Sequence, residues 1–399
     1  MAGRCLVVEN AYLAGDRRGS IVLGSAGRIL AGTQGEVTTF DAGGRVVVGA
    51  FAEPHTHLDR AFGSAVTGSN ASGSLTEAIE RFKRSLPGLT VEIVAQGARR
   101  ALELLVAAGV SHVRTHTAVG GAVDFCAWEA VEKAASESPG VEVHQVALPI
   151  DANLDHPEVA SWVREAAARG AVAVGGAPWR AVDPVAATRA AGELAGELGI
   201  GLDLHVDETD DARVDTLPIL AAVVEEVGLG GRTLAAHCCS LAGRPPLEAR
   251  RETEALAAAG VAVVLCPVSN LCLQGRQTGA RGIPPVRWLK QASVTVGIGL
   301  DNLYDVFVPV ATADPLRAAW VLALGDHLTG EDDLDWLGRT VVTGNRRLCG
   351  LTDGLAPGDR ADVLLLDART LAEAVAMVPG RRRLAIEWSP THDRGRVLS

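Results

Sequence analysis

The chain has 399 residues, 48% hydrophobic and 21% charged, with a formal net charge of −11. This is the composition of a folded globular chain with ample core, and the acidic balance excludes a nucleic-acid groove or an anionic membrane surface as partner. Seven cysteines without regular spacing exclude a disulfide framework or paired CxxC zinc ligands.

Residues 1 to about 50 hold short β-like runs at 5–10, 20–23 and 44–48, separated by Gly-, Asp- and Ser-rich turns, and they predict a small antiparallel sheet. From about 51 the pattern becomes apolar strands alternating with Ala- and Leu-rich helical segments, the form of repeated βα units. Candidate strands fall at 46–57, 109–116, 141–148, 171–176, 200–205, 233–237, 261–266 and 294–301. Eight such units predict a closed (β/α)8 TIM barrel. Helix starts are marked by a capping box from Ser74 to Glu77 and by Pro184 before an Ala-rich stretch. After the barrel, residues 355–367 are strand-like again. The expected organisation is therefore 1–50 and 349–399 as two parts of a small β-sandwich, with the barrel at 51–348. No segment approaches the ~18 apolar residues of a membrane span and no apolar leader opens the chain, so a cytoplasmic protein is expected. Its expected partner is a small molecule, and a homo-oligomer is compatible with the composition.

Chemistry in such barrels sits at the C-terminal strand ends. The first strand ends in HTH, which places His55 and His57 on one face together with Glu53. The fifth ends in His205 followed by Glu208, the sixth in His237, and the eighth in Asp301 and Asn302. His55, His57, His205 and Asp301 would converge at the barrel mouth as nitrogen and oxygen donors suited to one divalent transition metal, Zn2+ or Fe2+.

With HxH on the first strand, histidines on the fifth and sixth and Asp on the eighth, the chain resembles the amidohydrolase superfamily. EPHTHLD, HVDETDD, NLCLQGR, RGIP and DNLYD resemble its cytosine deaminase-like branch, near bacterial cytosine deaminase and the N-isopropylammelide hydrolases, over residues 50 to 315. The resemblance implies a metal-dependent hydrolase of C–N bonds, with Glu208 moving protons and His237 and Asp301 orienting the water and stabilising the oxyanion. Related enzymes bridge two metals with a strand lysine. Only Lys83, Lys133 and Lys290 occur here, none in an expected strand, which points to a single ion.

Arg60, Ile150, Trp179, Asn302 and Phe307 are expected to face the substrate. Ile150 stands where cytosine deaminase reads its pyrimidine with a glutamine, and Phe307 where it has a tryptophan, so cytosine should be a poor substrate. Glu53, Arg114, His116 and Asp203 are expected to support the donors from below, and Cys238 and Cys239 to be inert. Three readings stand: release of ammonia or an amine from a nitrogen heterocycle or cyclic amidine, ring opening of a cyclic amide or imide at the same site, and a non-catalytic barrel.

Overall fold

A computed structural model of the chain describes residues 3–276 and 281–384. The N-terminal apolar runs form β1 (Arg4–Leu13), β2 (Arg17–Gly24), β3 (Ile29–Leu30), β4 (Glu36–Asp41) and β5 (Val46–Gly49). β1 pairs antiparallel with β2, but parallel with β4 over Arg4–Glu9 and with β5 over Tyr12–Leu13. The wholly antiparallel sheet expected from the sequence is thus a mixed one. Its irregular register between Val8 and Ala11 divides the ten residues of β1 into halves that meet different neighbours.

The barrel is made of β6 (Phe51–Thr56), β7 (Val110–Val119), β8 (Glu142–Pro149), β9 (Ala173–Gly176), β10 (Gly201–Val206), β11 (Thr233–His237), β12 (Val261–Leu265) and β13 (Val296–Ile298). These eight strands pair in sequential order, all parallel, with helices between them, as the alternating pattern predicts. A parallel bridge between Thr56 and Asp301 closes the seam. The single strand expected over 46–57 is two strands in two sheets. Ala50 N donates to Asp362 O and Phe51 N to Gly109 O, so the chain changes sheet between adjacent residues. Both strands are fully buried, which is why the sequence reads as one apolar run.

The helices bury apolar stripes on the barrel. Val91–Ala107, capped by Thr90, buries Val94, Ala98, Ala101, Leu102 and Leu105 at three- and four-residue spacing. Gly97 on the same face meets the carbonyl of Ala61, where a Cβ would lie 2.1 Å away. Leu75–Ser85, between β6 and β7, starts with half of the expected capping box: Ser74 Oγ accepts from Glu77 N at 3.2 Å, while the Glu77 carboxylate accepts from Ala71 N and Ser72 N and not from Ser74 N.

β14 (Val363–Leu366) then returns antiparallel to β5, and β15 (Arg381–Leu384) pairs with β14. The terminal sheet has its own core, including Leu6, Val8, Ile21, Leu23, Val363 and Leu365. Arg381 and Arg383 tie it to the barrel by donating to Ala108 O at 3.1 Å and Val110 O at 3.2 Å. The part of the expected C-terminal segment beyond residue 384 lies outside the described residues. No helix among the described residues is long and apolar enough to cross a membrane.

Candidate metal centre

The seam that closes the barrel also assembles the donors. Asp301 N donates to His55 O at 2.8 Å, His57 N to Asp301 O at 3.1 Å, and Thr56 Oγ1 to the same carbonyl at 2.7 Å. Asp301 takes a left-handed φ of 59° to follow this path, strain that the surrounding hydrogen bonds hold in place. His205 enters from β10. Its Nε2 lies 3.1 Å from His57 Nε2, which in turn lies 3.2 Å from Asp301 Oδ1, while His55 Nε2 is 3.7 Å from that oxygen. Ligand atoms of all four residues fall within 4.8 Å of one another.

These residues fit a divalent ion. Burial, aided by neighbouring imidazoles, keeps His55 and His205 well below the usual histidine range; burial and the Arg60 charge bring His57 to about 4. Three neutral imidazoles therefore present lone pairs to one another. His57 Nδ1 is 3.3 Å from the carbonyl of His116, which leaves Nε2 as its donor atom. Neither ring nitrogen of His55 nor Nδ1 of His205 has a hydrogen-bond partner among the described residues. Burial opposes the charge of Asp301, yet His57 and His237 beside it hold its pKa below the carboxylate range. Two nitrogens 3.1 Å apart suit ligands that each sit about 2.0–2.1 Å from a common ion.

Beneath the donors, Arg114 Nε is 2.6 Å and His116 Nε2 3.2 Å from the buried Asp203 carboxylate. Glu53 Oε1 accepts from His55 N at 2.9 Å and Leu300 N at 3.0 Å, tying the seam strands together. Cys238 and Cys239 are fully buried, and burial pushes both thiols well above their usual range.

Glu208 follows β10 on a turn anchored by Asp207, whose carboxylate takes hydrogen bonds from Thr216 and from Ser240 Oγ at 3.1 Å. Burial raises the Glu208 pKa to about 7, against the lowering influence of His237. His237, with a φ of 69°, sets Nδ1 2.9 Å from Asn270 Oδ1 and 3.9 Å from Glu208 Oε1. Burial works against its charge, but Glu208 and Asp301 outweigh burial and lift its pKa. The helix Pro267–Leu273 thus steers both groups: Asn270 fixes the imidazole, and Gln274 just beyond donates to Glu208 O at 3.0 Å.

A cavity of about 100 Å³ opens over the cluster, small enough that a ring filling it must touch several of its walls. His57, His205, Glu208, His237 and Asp301 line its polar side; Arg60, Ile150, Asn302 and Phe307 line it too. Arg60 lies over the neighbouring rings of Phe82 and Phe307, 4.5 and 5.1 Å from their centres, with Nε 3.1 Å from Asp59 Oδ1. Asn302 Nδ2 donates to Asp305 at 2.8 Å, which also binds Phe307 N and so sets that ring. Trp179 is not on the cavity wall. The 3-10 turn Pro178–Arg180 brings Arg180 there instead, one residue further along, and Lys83 joins from the Leu75–Ser85 helix. Neither cation carries a sequence signal, because a long side chain reaching in from a helix or loop leaves no fixed spacing to the strand ends.

The chain is a closed parallel barrel with a candidate His/Asp metal site at its mouth, and the family and relatives it matches make it a hydrolase of carbon–nitrogen bonds. The chain belongs to the Amidohydrolase family, whose model matches residues 92–386. It is 29% identical to a pterin deaminase of Rhizobium rhizogenes, over 86% of this chain and 80% of that one. It is 26% identical to the N-isopropylammelide isopropyl amidohydrolase of Pseudomonas sp., over 96% and 95% of the two chains. The 5-methylcytosine deaminase of Klebsiella pneumoniae superposes with a TM-score of 0.88 at 27% identity, over 97% of this chain and 99% of that one.

Proposed function

We propose that the protein hydrolyses a C–N bond of a nitrogen heterocycle or cyclic amidine, releasing ammonia or an amine and keeping the ring. The observation that carries this is a buried carboxyl of raised pKa, Glu208, on the cavity that His57, His205 and Asp301 line, three of the four converging donors that His55 completes. Those four would hold one zinc or iron ion, which when bound supplies a water that ionises near neutral pH. Glu208 can accept the proton of the attacking water and return it to the leaving nitrogen, the task for which a carboxyl near 7 is matched. His237, whose pKa is lifted, can as the imidazolium donate Nδ1–H to Asn270 and Nε2–H to the oxyanion that forms as the ring carbon becomes tetrahedral. The relatives named for pterin, 5-methylcytosine and N-isopropylammelide support a heterocyclic substrate.

The test is an ammonia- and amine-release screen of metal-loaded protein against pyrimidines, pterins, triazines and cyclic guanidines, with the product ring analysed. The expected outcome is a released amine and an intact ring. A ring-opened product would transfer the site to cyclic amide or imide hydrolysis, and no turnover of any class would sink the reading.

A further inference from the structure

Three cations line the cavity of a chain whose net charge is −11: Arg60, Lys83 and Arg180. Arg60 is already satisfied by Asp59 and by two aromatic faces. The other two, both solvent-exposed, are engaged by no protein side chain at hydrogen-bond distance among the described residues. Among the described residues, no hydrogen bond or ion pair engages the Arg180 guanidinium, which lies over the Trp179 ring at 6.0 Å from its centre. Lys83 acts on Asp151 only at a distance, and that carboxylate is already held by Asn153 N at 2.9 Å and Nδ2 at 2.6 Å.

Arg180 keeps solvent-exposed surface, yet the barrel rim crowds it enough that desolvation lowers its pKa, with Glu208 opposing through space. An exposed guanidinium is hydrated in the free protein, but at the cavity wall its planar fork of donors is available to a ligand and matches a carboxylate. The cavity's own carboxylates do not fill this role. Asp301 is turned into the donor cluster, and Glu208 sits 3.9 Å from the His237 ring. The remaining walls, among them Leu75, Ile79 and Ile150, are apolar and suit a ring face.

We propose that Arg180 and Lys83 bind a carboxylate carried by the substrate ring, so that the preferred substrate is a heterocyclic acid and not its neutral parent. This rests on the heterocycle-hydrolase reading above and specifies which heterocycles. Arg180 contributes the directed pair of hydrogen bonds, while Lys83, on a four-carbon stem, contributes a mobile charge. Both are specificity residues, separate from the groups that handle the reacting carbon.

The experiment titrates metal-loaded protein by calorimetry with two matched pairs, 5-methylcytosine against 5-carboxycytosine and pterin against pterin-6-carboxylate. In at least one pair the acid binds about tenfold to a hundredfold tighter, the size of a charge-assisted hydrogen bond made or lost. In the Lys83→Gln/Arg180→Gln double variant, shown to be folded and metal-loaded, the acid-to-parent ratio falls to about one. A purely structural role would weaken both members of a pair and leave the ratio standing. Equal binding of acid and parent in both pairs overturns the proposal, and so does a preference that survives the double variant. Ammonia release from the same samples is a separate readout. Selective acid binding without any release keeps the clamp and counts these rings out as substrates, and the wider screen then decides the hydrolysis reading; release from neutral rings with no acid preference keeps hydrolysis and overturns the clamp.

Discussion

Glu208 and His205 stand three residues apart, yet their loss should fail in different ways. Glu208→Gln keeps shape and removes the exchangeable proton, so the metal content should hold while kcat falls about 10²- to 10⁴-fold. Elemental analysis beside turnover checks this, and activity within a few fold of the parent would remove Glu208 from proton transfer. His205→Asn should lose metal first, since it withdraws a nitrogen 3.1 Å from that of His57. Ile150 presents an apolar edge where an amide would read a pyrimidine, so kcat/KM for cytosine should fall about two orders of magnitude below that of the true substrate. Ile150→Gln should raise cytosine turnover, and Arg60→Ala should depress the native reaction; rapid cytosine deamination by the unmodified chain would refute this view of the pocket. That His55, His57, His205 and Asp301 meet, with Glu208 at the same cavity, could be expected from sequence because each closes an apolar run or follows one within a few residues. Arg180 could not: Trp179 beside it offers the more conspicuous side chain, and only the turn Pro178–Arg180 decides which of the two reaches the cavity.

At the scale of elements, the site depends on how the helices seat the loops that carry it. Gly97, midway along Val91–Ala107, lets that helix pack directly on the Ala61 carbonyl, in the turn just after Arg60. A Cβ 2.1 Å from that oxygen cannot be absorbed by a rotamer change, since both partners are backbone. Gly97→Ala, despite its better helix propensity, should therefore destabilise the fold by about 1–3 kcal/mol, the usual cost of overpacking. Urea unfolding measures it, and a variant as stable as the parent would show that the helix can shift freely. The strands were legible because burial on both faces makes them continuous apolar runs. Their sheet membership was not: nothing in the run at 46–51 announces that β5 pairs with β14 and β6 with β7, a choice made by hydrogen bonds to residues 109 and 362. β13 spans only Val296–Ile298, so the seam at Asp301 is a tertiary feature that strand periodicity cannot show.

For the whole molecule, the number of ions follows from what the barrel lacks as well as from what it holds. The donor clusters among the described residues share His55, so they cannot each take an ion of their own. All three lysines lie in helices, at Leu75–Ser85, Cys126–Ser136 and Val286–Gln291, which leaves none on a barrel strand to bridge a pair of metals. One ion per chain is the expected stoichiometry. Its removal should also be felt by the fold, because the apo protein must bury a carboxylate and three mutually repelling imidazoles at the seam that closes the barrel. An ion present at a thousand times its Kd adds about 4 kcal/mol to the folded state. Chelation should therefore lower the melting temperature by several degrees and abolish turnover, and one equivalent of Zn2+ or Fe2+ should restore both together. Two tightly held ions per chain would contradict the shared-donor argument. A chelated protein that melted unchanged would mean that the seam closes without help from a metal, leaving the ion a purely chemical part.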